Sequence, residues 1–156
     1  MISTTAAVLT MLFGFMLGYA LYEWKRYRLG GIIAVPLIVV YTMENWISLP
    51  VIIVAIMLCY IAVNVISSQT LLYGRRLLYM VMMFSIIVTF IIAWLVSMVY
   101  PEPIPSLVIF SLFPGLIAYN IRKDSVDFDS STNSVLMLVL QFIFVWGFAF
   151  GISMVV

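Results

Sequence analysis

The sequence predicts an all-α integral membrane protein. Six transmembrane helices form two inverted three-helix repeats, and the second helix of each repeat is broken at a proline. Three observations lead there: the composition, the number of apolar runs and the placement of charge. Of 156 residues, 66% are hydrophobic and 8% are charged. Soluble domains carry about a quarter charged residues and at most about half apolar ones. A mean hydropathy of +1.26 therefore calls for lipid as solvent. The length fits a single membrane domain over 1–156, with repeat one at 1–66, a cytoplasmic connector at 67–76 and repeat two at 77–156.

Residues 2–22 carry no charge and are long enough to cross about 30 Å of hydrocarbon as a helix. Positive charge follows this run in Lys25, Arg26 and Arg28, whereas a signal peptide would place it before. A retained first span is expected, with its N-terminus outside. The second run, 29–43, is short and contains Pro36. The third, 47–66, is uninterrupted, and 67–76 is polar and basic. The fourth, 77–100, stops at a proline-rich stretch, and the fifth, 106–121, contains Pro114 and Gly115. Residues 122–133 read as a hydrophilic loop, with Asp124, Asp127 and Asp129 solvated there. The sixth run, 134–156, places aromatic residues at alternate positions, but the residues between them are apolar too. A membrane strand alternates apolar with polar, so a helix is expected.

If all six runs cross, the seven Lys and Arg residues fall on one side, and Glu44 and Glu102 lie on the other. The positive-inside bias then puts the basic side in the cytoplasm and both termini outside. Tyr22, Trp24 and Tyr27 are expected in the inner aromatic belt, and Tyr41, Trp46 and Tyr100 in the outer one.

Aligning Pro36 with Pro114 brings Tyr41 and Tyr119 into register, each five residues on. Three crossings per half invert the second half relative to the first. Broken helices at matching places in inverted halves point to a membrane binding site. Proline removes a backbone donor and can free a carbonyl, which in lipid needs protein, water or ligand. The competing reading is a kink that serves packing. Gly14 and Gly18, and likewise Gly147 and Gly151, allow close helix approach, either to other helices or to a second copy.

The residues also exclude chemistry. No Asp, Glu, Lys, Arg or His falls inside a run, which argues against a self-contained ion-driven pump. There is no His, and Cys59 is the single Cys, so disulfides and Cys/His metal sites within one chain are ruled out. No phosphate loop or acid–base pair is visible, so the chain is not expected to be an enzyme by itself. A net charge of +1 gives no reason to expect nucleic acid. Arg75 and Arg76 fall at the start of the fourth helix, where the macrodipole disfavours cations and attracts anions. Two readings stand: a site for carboxylate or phosphate, or anchoring to anionic head groups. Arg122 and Lys123 end a helix, where the dipole favours cations, and anchoring suffices for them.

At Leu72, Tyr73, Gly74, Arg75 and Arg76 the sequence resembles the poly-γ-glutamate synthesis membrane proteins of the PgsC/CapC family. A second match runs from Phe113-Pro114-Gly115 through Ala118 and Asn120 to Arg122-Lys123. The family carries a Val-Pro-Gly-like element in each half, and here Val35-Pro36-Leu37 departs from it by lacking the glycine. The resemblance implies a non-catalytic membrane subunit of a capsule-type polymer synthase and export complex. Its partners would be membrane lipid, a cytosolic ATP-dependent amide ligase, a surface-exposed partner and an acidic polymer, with a homo-oligomer as a further candidate. ATP and magnesium would belong to the ligase and no cofactor to this chain. Tyr73, Gly74, Arg75, Arg76, Arg122 and Lys123 would face polymer or partner, and Pro36, Pro114 and Gly115 would form the broken-helix elements. Scaffolding and a candidate polymer path are the expected roles. The alternatives are a stand-alone small inverted-repeat transporter and a purely structural ligase anchor.

Overall fold

A computed structural model describes residues 3–26, 32–69, 74–99, 111–128 and 131–155. The described chain is all-helical, with six helices: α1 (Thr4–Lys25), α2 (Ala34–Glu44), α3 (Ser48–Gln69), α4 (Arg75–Val99), α5 (Phe113–Phe128) and α6 (Ser131–Ser153). Four of them, α1, α3, α4 and α6, are long and apolar enough to cross a membrane. Only 17–28% of each apolar window is buried within the chain, so the remaining faces need lipid or other chains.

The helices start and stop for local reasons. Ser3 caps α1, its hydroxyl accepting the Ala6 N–H at 3.2 Å. Arg26 ends α1 in the left-handed region (φ 57°) and returns its N–H to the Tyr22 carbonyl. Thr10 donates its hydroxyl to the Ala6 carbonyl, which satisfies a buried polar group inside the helix itself. Gly74 precedes α4 with φ 64°, a conformation glycine adopts without steric cost, and its carbonyl accepts the Leu78 N–H.

The described parts of the second and fifth runs are shorter helices. With 11 residues, α2 extends only about 16 Å. The described residues before it, Ile32 and Ile33, form a turn, and Pro36 sits in the first helical turn. The same holds for α5, where a turn at Ser111 and Leu112 precedes Phe113 and Pro114. Proline in a first turn lacks only an N–H that would have no helical partner. Each proline thus stands in the first turn of a described helix, and the stretches before 32 and before 111, on which the expected interruptions depend, lie outside the described residues. The expected loop at 122–133 is corrected. Helix α5 continues to Phe128 and α6 begins at Ser131. Asp124 is buried there, not solvated, because it follows Ile117 and Ile121 on one helix face.

Packing fixes the relative directions. Gly14 of α1 meets Val145 of α6, and Gly18 meets Gln141, so the two helices are antiparallel. Gly14 also meets Pro36, and Gly18 meets Ile32, so α2 runs back alongside α1. Trp46, just past α2, lies 6.0 Å from Trp146. Helix α3 then returns, and α4 starts at the end where α3 stops. Arg26, Arg75, Arg76, Arg122 and Lys123 consequently lie at one end of the molecule, with Glu44 toward the other. The core has three parts. One joins α2, α3 and α5 through Ile38, Tyr41, Ile52 and Ile117. A second joins α3, α4 and α5 through Cys59, Val63, Val81 and Ala118. The third sets Val39 against Val145 and Ala149 of α6. Tyr41 is thus a core residue, 4% exposed, and not part of an aromatic belt. Trp24 and Trp46 are exposed as expected, while Tyr27 and Tyr100 lie outside the described residues.

Candidate functional site

Two places gather the residues singled out above. The first is the basic end. Arg75 and Arg76 open α4 and are exposed, directly after the Gly74 turn. The Tyr119 hydroxyl of α5 donates to the Gly74 carbonyl at 3.3 Å. Arg122 and Lys123 follow Tyr119 by three and four positions, on the same helix face. One tyrosine thus ties the turn bearing two arginines to the helix bearing the other two cations. Lys123 is exposed and Arg122 half-buried, so this rim can receive an anionic group from solvent. Tyr73 lies outside the described residues.

The second place is half-way along the long helices, where both short helices begin. Gly14 lies ten residues beyond Thr4 and Ser85 ten beyond Arg75, about 15 Å along each axis. At the first level Pro36 packs on Gly14. A Cβ on Gly14 would fall 2.5 Å from Pro36 Cγ and 3.3 Å from Val145 Cγ1. At the second level Gly115 packs on α4. A Cβ there would fall 2.8 Å from Ser85 Cβ and 2.8 Å from the Val81 carbonyl oxygen. The glycine that allows close approach stands on the short helix in the second half and on the long helix in the first. This explains why Leu37 can follow Pro36 without loss of the contact.

Ser85 closes the start of α5. Its Oγ accepts the Gly115 N–H at 2.9 Å and donates to the Ser111 carbonyl. One hydroxyl of α4 thus holds both the turn and the first helical residues of α5. This is a helix cap supplied by a neighbouring helix, where lipid can supply none. Helix α2 begins at a comparable depth with no side-chain cap at Ile33. Near it lies Gln141 of α6, 0% exposed, with neither Oε1 nor Nε2 hydrogen-bonded.

Sequence reasoning missed Ser85, Gln141, Asp124 and Tyr119 as site residues. A search for ionisable groups in apolar runs passes over Ser and Gln. Their signal was simply a polar side chain at the middle of an apolar helix. Gly147 and Gly151 meet nothing within 4 Å, whereas Gly14 and Gly18 are packed against α2 and α6. A cavity of about 230 Å³ between α2, α3, α5 and α6 is lined by apolar side chains, among them Val35, Ile52, Ile117 and Phe142.

No curated protein and no solved structure matches the chain. The family model for capsule biosynthesis CapC matches residues 13–128. That stretch runs from α1 to the end of α5 and holds the basic turn, both prolines and the Arg122-Lys123 pair. The chain therefore belongs to the CapC family of capsule biosynthesis proteins.

Proposed function

We propose that this CapC-family chain is the non-catalytic membrane subunit of a poly-γ-glutamate synthase and export complex. It holds a cytosolic ATP-dependent amide ligase, and the acidic product, at its basic end. The observation that carries this reading is the Tyr119–Gly74 hydrogen bond, which fixes Arg75 and Arg76 beside the helix bearing Arg122 and Lys123. Four cations on a fixed turn and helix suit a polyanion or an acidic partner face better than four independent anchors do. The central cavity is a poor polymer path in one chain, because its apolar lining would strip hydration from carboxylates. The carboxylates of the polymer therefore meet the basic rim in this reading. ATP and magnesium stay with the ligase, and a surface-exposed partner completes the assembly on the other side.

The reading includes two inverted repeats, with the basic end in the cytoplasm and both termini outside. The packing scheme supports it. The principal pairings are α3 with α4 and α5, α4 with α5, α1 with α2 and α6, and α6 with α2 and α5; α2 also touches α3 and α5. Exchanging α1 with α4, α2 with α5 and α3 with α6 leaves this set of pairings unchanged. The placement of five cations at one end supports the orientation.

The short helices starting at half depth favour a second reading, a stand-alone inverted-repeat transporter. A pull-down from native membranes separates the two. Under the leading reading the chain brings down a ligase that forms γ-linked glutamate from ATP and glutamate. The Arg75→Lys, Arg76→Lys protein keeps its charge and membrane level but loses the planar guanidinium contacts. Ligase capture or polymer output should then fall about tenfold, as expected for one bidentate contact worth about 1.5 kcal/mol. Unchanged capture and output in that protein would reduce the pair to orientation signals. Transport by the purified chain in liposomes, with no ligase captured, would favour the second reading.

A further inference from the structure

We infer that Gln141 is a binding residue at the start of α2 and that its ligand is a secondary amide of a polyamide chain. The inference rests on the polyamide product proposed above and assigns its amide groups a contact inside the membrane. Two independent observations meet there. The start of α2 has no side-chain cap, and a helix N-terminus presents N–H donors and partial positive charge. Gln141, fully buried, leaves both its carboxamide oxygen and its nitrogen unpartnered. The two are neighbours across Gly18. The point a Gly18 Cβ would occupy lies 2.9 Å from Gln141 Nε2 and 3.5 Å from Ile32 Cα, just ahead of α2.

The other half of the molecule shows what a purely structural solution looks like. At α5 the buried polar group is Ser85, and its hydroxyl is used up by Gly115 and Ser111. At α2 the polar group is larger and nothing uses it. An unpaired carboxamide in a membrane interior destabilises the fold, and leucine would fill the space without that penalty.

The chemistry of the orphaned atoms selects the ligand class. A carboxamide has donors on nitrogen and an acceptor on oxygen. A carboxylate would satisfy Nε2 but set like partial charges against Oε1. A cation would do the reverse. A secondary amide answers both, its carbonyl accepting from Nε2–H and its N–H donating to Oε1, and the α2 N-terminus can donate to a neighbouring carbonyl. With Gln141 closed off in this conformation, the ligand enters when the packing of α1, α2 and α6 opens. Gly18 leaves the carboxamide room to turn. Gln141 lies beyond the residues matched by the family model.

The test uses the full chain in lipid nanodiscs and three probes: a γ-linked glutamate oligomer, an α-linked one of the same length, and polyacrylate, a polyanion without amides. Binding and melting temperature are measured for wild type, Gln141→Leu and Gly18→Ala. The expected result is that Gln141→Leu melts higher without ligand yet binds the γ-linked oligomer about tenfold more weakly, as when a pair of hydrogen bonds is lost. Gly18→Ala, whose new methyl displaces Nε2, should weaken binding while folding normally. Polyacrylate should bind weakly and equally to all three proteins. Binding of only the α-linked oligomer, lost in Gln141→Leu, would uphold the site and overturn the γ-linked product. The inference is overturned if neither polyamide binds wild type, if Gln141→Leu binds as wild type does, if that variant melts lower, or if polyacrylate binding falls with it.

Discussion

Single side chains carry unusual weight here because lipid offers no replacement partners. Ser85 illustrates this. Its hydroxyl serves a backbone donor and a backbone acceptor on the far side of a helix interface. Ser85→Ala leaves the Gly115 N–H and the Ser111 carbonyl one partner short. We expect a loss of about 1–3 kcal/mol, read as a lower melting temperature with normal membrane insertion. An unchanged melting temperature would mean that the start of α5 is held by other contacts. These pairings span 26 and 30 residues, so no local pattern in the sequence could reveal them. The basic residues were easier to read. Arg75, Arg76, Arg122 and Lys123 stand out against apolar neighbours, and their helix-end positions follow from where the apolar runs stop. The tie through Tyr119 was not legible, since it depends on how α5 docks on the Gly74 turn.

At the scale of elements, the two short helices organise the rest. Their prolines mark where helices start, and the glycines beside them set how closely α2 approaches α1 and α5 approaches α4. Gly14→Ala would drive a methyl into the rigid Pro36 ring, and Gly115→Ala would drive one into the α4 backbone. Each should cost about 1–3 kcal/mol through overpacking. Gly147→Ala and Gly151→Ala meet open space and should leave the stability of the isolated chain unchanged or raise it by up to about 1 kcal/mol, because alanine favours a helix interior. Equal effects at all four positions would contradict the packing described. Pro36→Ala and Pro114→Ala, at first-turn positions, should change stability by less than about 1 kcal/mol. The four long helices were legible from run length alone, with ends shifted by only a few residues. The short ones were not, because an apolar run does not show where within it a helix begins. Residues 122–133 failed for a related reason. Polar composition suggested a loop, yet Ile117, Ile121 and Asp124 continue one buried face of α5.

For the whole molecule, charge and packing lead to the same arrangement. The sequence puts all Lys and Arg on one side if six segments cross, and the fold gathers the described ones at one end. Composition identified the solvent, and the Gly-Arg-Arg and Pro-Gly elements identified the family. The exchange symmetry of the helix pairings emerges only from tertiary contacts, as the two halves share little beyond Pro36, Pro114 and the following tyrosines. The inverted arrangement proposed above would put the basic end in the cytoplasm and both termini outside. Single cysteines at Asn45, Met154, Gly74 and Asp127, each in a Cys59→Ala background, test it most directly. A membrane-impermeant thiol reagent applied to intact cells should label positions 45 and 154, and positions 74 and 127 only after the membrane is opened. Labelling of 74 or 127 in intact cells, or protection of 45 there, would contradict the arrangement.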